Sequence, residues 1–499
     1  MINTKMNLTK LKVAFFVFLG IAMLNSRLTF AGNNKAFEPN VLFISVDDLR
    51  PELNCYGFEH IVSPNIDKIA SQGVLFEKAY CQQAVCLPSR ISLMSGMRPP
   101  STGVMDLKTN FRETIPNIVL LPQHFRNNGY YAIGMGKVLH SEEPSIWDEW
   151  IDIKDENKLK NYNNPETLKK IKELEIKARK KGLKGKAFRV ATKGPAYEGY
   201  DASDEKYHDG KMTDFAIQKL NELKDETFFM ALGYKKPHLP FVAPKKYFDL
   251  YDINKIKLAD NPDAPKGAPT YAGSSWGELR AYDGIPKKGP VKDEEALKLI
   301  QAYYACVSFV DAQIGRVIDE LERLGLKNNT IIILWGDHGW KLGEHGMWAK
   351  HTNYENDAWS PLIISYPGYH MHGISTKALV EYVDIYPTLC ELTNTSIPDY
   401  CEGLSFAPLL KNPELEWKKA AFSYYPKAGN IGYSIKTERY RYTEWVNKKT
   451  GEIDAQELYD HKTDSKENTN LANKKKYKSI VEEHSKIIAE GWESALPEK

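Results

Sequence analysis

A chain of 499 residues with 42% apolar and 26% charged side chains has ordinary globular composition, which excludes disorder, collagen-like repeats and coiled coil as descriptions of the whole. Its 67 basic residues against 65 acidic ones leave a formal charge of +2, too small for a global field that gathers nucleic acid. Six cysteines in a chain long enough to bury a large core are not a disulfide scaffold.

Residues 1–12 carry Lys5, Lys10 and Lys12 and no acid, and the apolar run Val13–Leu24 follows. That run is short of the ~20 residues a bilayer span needs. It has the layout of a secretion signal cut after Ala31, in Thr29-Phe30-Ala31. The reading is a signal peptide over 1–31, with export to the periplasm, the cell surface or the medium and no stable membrane insertion.

Asn40–Val46 (NVLFISV) predicts a buried parallel strand that stops at Asp47-Asp48. Cys86-Leu87-Pro88-Ser89-Arg90 comes next, extended by Leu93, Ser95-Gly96 and Arg98; a lone cysteine there would read as a small buried residue at a helix start. Gly136-Lys137-Val138-Leu139-His140 sets a cation and an imidazole three residues apart. Lys154–Arg189 holds 13 Lys/Arg against 5 Asp/Glu and is helical in its middle, PETLKKIKELEIKARKK. His238 lies between Pro237 and Pro240, in an extended loop rather than a helix.

Glu294–Leu324 predicts a long helix whose buried face is Val307, Val310, Ile314, Val317 and Leu321. Thr330–Trp335 (TIIILW) is a second apolar strand, and it ends in Gly336-Asp337-His338-Gly339, with Trp348-Ala349-Lys350 soon after. Two distant strands ending in ionisable residues point to one site beyond the carboxyl ends of one sheet. Carboxylates gathered there suit a hard cation, Ca²⁺ or Mg²⁺. Cys390 and Cys401 could pair after export. Beyond Asn412 the alternation in YSIKTERYRYTEW predicts a small antiparallel sheet, followed by a polar helical tail. The resulting expectation is an α/β chain with a large, mostly parallel central sheet flanked by helices over 32–411 and a C-terminal subdomain over 412–499.

The string C-x-P-S-R-x-x-L-x-S-G resembles the signature of the type I sulfatases. The blocks NVLFISVDDLRPELNCYG, SPNIDKIA, QQAVCLPSR, MGKVLH, GYKKPHLPF, SFVDAQIGR and GDHGWKLGEHGMWAKHTNYE resemble the iduronate-2-sulfatase group of that family. The resemblance runs from about residue 40 to 367 and continues more weakly to about 472.

It implies an alkaline-phosphatase-like sandwich. It also implies that Cys86 is oxidised to formylglycine by a formylglycine-generating or sulfatase-maturing enzyme. The hydrated aldehyde is then the nucleophile: one hydroxyl attacks sulfur and the other expels sulfate, which splits one difficult step into two. The implied metal site is Ca²⁺ on Asp47, Asp48, Asp337 and His338, with residue 86 as a further ligand. Imidazole is an unusual partner for Ca²⁺, and many members have Asp-Asn where this chain has Asp337-His338.

In the same reading Lys137 and Lys350 clamp the sulfate and His140 takes the proton that releases it. His238 protonates the leaving sugar oxygen, with Lys350 assisting, and the fork of Arg90 pairs with oxyanions. The Lys-rich stretch does not match the group, and it suits a polyanionic substrate. The expected substrate is a sulfated polysaccharide or its oligosaccharides, with ulvan first, then carrageenan and glycosaminoglycan. Two alternatives stay open: a phosphate or phosphonate ester hydrolase of the same superfamily, and a non-catalytic polysaccharide-binding protein. The second requires a broken motif, and none of the named positions is broken.

Overall fold

The computed structural model describes residues 38–154, 162–368 and 373–498. The expected signal peptide, with its cut at Ala31, and residues 155–161 of the Lys-rich stretch lie outside the described residues. In chain order, the elements that matter here begin with β1 (Asn40–Val46), β2 (Val74–Phe76), the helix α1 (Cys86–Ser95), β3 (Tyr131–Gly136) and β4 (Glu149–Ile151). Helices α2 (Pro165–Lys180) and α3 (Gly185–Ala191) precede β5 (Phe228–Tyr234), the single turn α4 (Gly277–Arg280), the long α5 (Asp293–Arg323) and β6 (Thr330–Gly336). Then come β7 (Leu362–Ser365), β8 (Ile374–Thr376), the strands β9 (Ala421–Lys427), β10 (Asn430–Lys436), β11 (Tyr440–Asn447) and β12 (Ile453–Asp460), and α6 (Lys478–Glu490).

The central sheet has eight strands in the order β8-β2-β7-β6-β1-β5-β3-β4. It is mostly parallel, as expected; β7 alone runs against both of its neighbours. In β1, Leu42, Ile44 and Val46 enter the core on one face and Val41 and Phe43 the core on the other. Both faces are covered, so the strand reads as an unbroken apolar run rather than an alternating one.

The expected face of α5 packs on the first of these cores: Val307, Val310, Ile314, Val317 and Leu321 are each at most 1% exposed. At about 1.5–3 kcal/mol for each buried aliphatic side chain, this helix is a main fastening of the sheet. The Lys-rich segment forms α2, capped by the Asn164 side chain on the Glu166 N–H, with Pro165 in its first turn. Ile171 and Ala178 turn inward, and the lysines stay outside.

The C-terminal sheet is antiparallel in the order β9-β10-β11-β12. It is tied to the main body where that matters for the site. The Tyr424 N–H donates to Gln82 O at 2.8 Å and the Ser423 hydroxyl to Cys81 O at 2.7 Å, which fixes the chain leading into Cys86. Behind α1, Arg98 makes a bidentate pair with Glu381 at 2.6 and 2.7 Å, and Lys418 bridges Glu381 and Asp384. These charges are buried, and each is met by an opposite one. Cys390 and Cys401 do not pair; both are free thiols. Among the described residues, no helix is long and apolar enough to cross a membrane.

Candidate active site

Four adjacent parallel strands, β6-β1-β5-β3, end in register, with Gly336 beside Val46, Val46 beside Tyr234, and Gly233 beside Gly136. Their carboxyl ends deliver Asp337-His338, Asp47-Asp48, the loop carrying His238, and the segment from Lys137 to His140. Residues scattered over the chain therefore meet at one sheet edge, as the two acidic strand ends suggested.

Asp48 adopts a left-handed conformation (φ 61°), which Asp tolerates better than most residues. Its N–H donates to Asp337 Oδ1 at 3.0 Å, and its carbonyl accepts from the Tyr303 hydroxyl of α5 at 2.7 Å. Cys86 is the first residue of α1 and is 3% exposed. Its Sγ lies 3.3 Å from His338 Nε2, 3.6 Å from Lys137 Nζ and 4.0 Å from Asp48 Oδ1.

Ser89 and Arg90, three and four residues on, share its helix face. The Ser89 hydroxyl donates to the Asp337 carbonyl. Arg90 Nε donates to Asp337 Oδ2 at 2.9 Å, its Nη2 to Asp47 Oδ1 at 3.1 Å, and its Nη1 to the carbonyls of Lys137 and Val138. This corrects one expectation. The Arg90 fork is fully buried and grips two carboxylates of the site, so it does not face an incoming anionic ester. A guanidinium suits either partner, and only the packing decides between them.

Lys137 Nζ pairs with Asp47. Lys350 Nζ donates to both oxygens of Asp48, at 2.7 and 2.9 Å, and lies 4.8 Å from the centre of the Trp340 ring. The His238 Nδ1–H donates to the carbonyl of Leu239 at 2.7 Å, which turns Nε2 toward Asp48 and Glu278. His140 has a buried Nδ1 with no protein partner among the described residues. Burial, then neighbouring Lys137, pulls its imidazole below the usual range, so it stays a neutral base.

Whether these groups fit a cation is decided by His338. Its Nδ1–H donates to Gly339 O at 3.0 Å, so Nε2 points at Asp48 Oδ1 (3.5 Å) and Asp337 Oδ1 (3.6 Å). Neutral, it sets a lone pair against carboxylate oxygens, an arrangement that needs a positive charge in the middle. A proton on Nε2 also meets that need: burial pulls the imidazole down, but Asp337, Cys86 and Asp48 outweigh burial and raise it to about 10, so a cation held here would replace that proton. Burial also opposes both aspartates. Lys137, His238 and Arg90 still hold Asp47 well below the usual range, whereas Asp48 rises to about 6.

The candidate ligand atoms form two groups that share Cys86, one with Asp47, Asp48 and His238 and the other with Asp337 and His338, and their carboxylates suit a hard divalent cation. A second carboxylate cluster, Glu355, His461 and Glu467, is already met by the buried Arg441, whose nitrogens reach both glutamates.

One residue of the site was not foreseen. Glu278, on α4, places Oε1 at 3.3 Å from His238 Nε2 and Oε2 at 3.4 Å from Lys350 Nζ. Trp-Gly-Glu-Leu-Arg carries no spacing that marks a ligand or a catalytic group, so nothing in the residues around Glu278 signalled it.

The sulfatase family model matches residues 39–395, and the model of the N-sulphoglucosamine sulphohydrolase C-terminal region matches residues 343–492. Human iduronate 2-sulfatase is 33% identical to 87% of this chain, covering 91% of its own length. A sulfatase of Formosa agariphila is 33% identical over 95% of this chain and 91% of its own. A solved protein in complex with its substrate D-glucosamine-2-N,6-O-disulfate superposes with a TM-score of 0.70 at 23% identity, covering 90% of this chain and 98% of its own. That likeness is one of fold, the alkaline-phosphatase-like sandwich. With its family model covering most of the chain and its acidic strand ends gathered around Cys86, the protein belongs to the sulfatase family and is a sulfuric ester hydrolase.

Proposed function

We propose that the chain is exported and hydrolyses sulfate esters of a sulfated oligo- or polysaccharide, using a formylglycine made from Cys86 and a bound Ca²⁺. The observation that carries this reading is the position of Cys86, within 4.0 Å of His338, Lys137 and Asp48 at the convergence of four strand ends. Asp47, Asp48, Asp337 and His338 would hold the ion, which supplies polarisation of the sulfate oxygens. The formylglycine supplies a carbon bearing two hydroxyls, one to attack and one to eject, and it requires a formylglycine-generating or sulfatase-maturing enzyme.

The remaining roles fall to this chain's own groups. Lys137 and Lys350 neutralise the ester and hold its orientation. Arg90 and Ser89 position Asp337, and Arg90 also positions Asp47. His140, neutral with a free ring nitrogen, takes the proton whose loss releases sulfate. His238, its Nδ1 anchored on Leu239, carries the proton for the leaving oxygen on Nε2.

Residues 32–411 form the catalytic part of this scheme, and 412–499 brace the approach to Cys86. Names among the relatives that refer to iduronate and to ulvan support a sulfated sugar, with ulvan as the first choice, then carrageenan and glycosaminoglycan. Paired aryl sulfate and aryl phosphate monoesters test the reaction class. The sulfate is expected to turn over faster, and a faster phosphate would favour the phosphohydrolase alternative.

Two further outcomes follow. His238→Asn should cost about 10²–10⁴-fold on a sugar sulfate, whose alkoxide leaves only with a proton, and far less on nitrophenyl sulfate, whose phenolate leaves unaided. Equal losses on both would remove His238 from the leaving-group side.

The second concerns α2 and α3, where Lys169, Lys170, Lys172, Lys177, Arg179, Lys180, Lys181, Lys184, Lys186 and Arg189 are all exposed. The segment is anchored by the Lys170–Asp283 pair at 2.5 Å, and Asp283 is five residues along the chain from Glu278. Neutralising Lys177, Lys180 and Lys181 together should lower kcat/KM severalfold for long sulfated oligosaccharides and leave nitrophenyl sulfate unchanged. The difference should fade toward 1 M salt, where screening shortens to ~3 Å. Identical kinetics on both substrates at low salt would make the segment plain surface.

A further inference from the structure

Glu278 is an acid of this site outside the candidate ion cluster, and its surroundings give it a task of its own. It sits on the single turn α4, whose neighbours are pinned: Trp276 is 4% and Leu279 1% exposed, and the Arg280 guanidinium lies 3.2 Å from the centre of the Trp276 ring. The backbone is thereby held while the carboxylate projects to His238 and Lys350. The floor of the site is sealed, with the Asp47, Asp48, Asp337 and His338 side chains at most 1% exposed; the Glu278 and His238 side chains are 25% and 23% exposed. A ligand entering the site therefore meets this pair before it meets the carboxylates below. Burial opposes the charge of Glu278, yet Lys350, His238, Lys193 and His351 hold it well below the usual carboxylate range. An ionised carboxylate only accepts hydrogen bonds.

A carboxylate on this rim, even one set among Lys350, His238, Lys193 and His351, is an odd provision for a site that must admit an anionic ester, unless it reads something other than the sulfate. We infer that Glu278 is a specificity-determining residue that reads the leaving sugar, accepting hydrogen bonds from hydroxyl or ammonium groups beside the scissile ester and excluding a second sulfate or carboxylate from that place. The inference rests on the proposed role of His238 as the acid for the leaving oxygen, because the group in contact with that acid borders the leaving sugar. A neutral vicinal hydroxyl gives the carboxylate a donor, whereas a vicinal anion meets like charge in a partly desolvated place. The substrate class is thus a saccharide whose scissile sulfate is flanked by uncharged or cationic substituents.

The experiment uses the full formylglycine-bearing enzyme and its Glu278→Gln and Glu278→Asp variants. The probes are a panel of hexose, deoxyhexose and uronate monosulfates, each paired with the same sugar carrying a second, vicinal sulfate. Released sulfate is the readout, and nitrophenyl sulfate is the control. The wild type should prefer the monosulfate of its best pair by about tenfold or more, a difference of about 1.4 kcal/mol or more. Glu278→Gln should lower kcat/KM on the monosulfate and collapse that preference, while Glu278→Asp, which keeps the charge, should retain it.

An unchanged preference in Glu278→Gln overturns the inference, including the case where both members of the pair slow equally. That result would leave Glu278 only holding His238 and Lys350. Turnover of nitrophenyl sulfate with no change in preference defeats this inference alone. A formylglycine-bearing wild type that cleaves no sulfate ester at all defeats the sulfatase mechanism, and this inference with it.

Discussion

Serine in place of Cys86 should abolish turnover, by on the order of 10⁴-fold or more as for other lost nucleophiles, and leave the fold intact. The fold survives because a hydroxyl is smaller than a thiol and finds partners already in place, His338 Nε2 at 3.3 Å and Lys137 Nζ at 3.6 Å from the sulfur. The residue starts a helix whose remaining contacts do not involve the sulfur, among them Ser89 and Arg90 on Asp337. Turnover fails because a single hydroxyl on a saturated carbon has no second oxygen whose deprotonation ejects sulfate, and serine in place of cysteine removes the thiol that maturation oxidises. Far-UV circular dichroism and the thermal midpoint should match the wild type, with sulfate release at background. Turnover within tenfold of the wild type would contradict the account.

Asp337→Ala has the second-largest expected effect, about 10³-fold or more in kcat/KM. Asp337 has three roles at once: one oxygen accepts the Asp48 N–H, the other accepts Arg90 Nε, and its carboxylate belongs to the candidate cation cluster. Its loss leaves Arg90 with one carboxylate fewer and the cation with two rather than three. Metal analysis separates the ion from the chemistry. The wild type should carry about one Ca²⁺ per chain and gain about 2.7 kcal/mol of stability at a hundredfold excess of free ion over Kd. Asp337→Asn, which keeps the shape, should bind little ion and show a thermal midpoint indifferent to chelator. Stoichiometric metal together with normal turnover in either variant would refute the assignment.

Much of this site could be read before folding because its chemistry sits at strand ends. A strand buried on both faces is an apolar run, and where it meets the site it breaks off in ionisable residues, as at Asp47-Asp48 and Asp337-His338. The inward face of α5 was legible for a similar reason, since its 3.6-residue period is a direct consequence of packing on one side. The C-terminal alternation gave a sheet whose faces have different partners: Phe422, Tyr424, Ile435, Tyr442 and Leu458 pack with α6, whereas Trp445 and Tyr459 enter the main core.

Other features depend on contacts that no local pattern encodes. The Arg90 fork suits an ester oxyanion and an aspartate equally, and only the fold shows that Asp47 and Asp337 already fill it. Glu278 reaches His238 and Lys350 from an irregular stretch with a single helical turn, where neither period exists to read. Cys390 and Cys401 are close in sequence across a Pro-containing loop, yet they remain separate thiols, with Cys390 against His124 at 3.4 Å.

The central claim is that Cys86 becomes the nucleophile, and its most direct measurement is mass spectrometry of the tryptic peptide Ala79–Arg90 from enzyme active on a sulfate ester. The account predicts a peptide lighter by about 18 Da than the cysteine form, because the thiol carbon has become an aldehyde, and it predicts that the lighter fraction rises in step with specific activity. Full activity in a preparation whose Ala79–Arg90 peptide carries only unmodified Cys86 would contradict it.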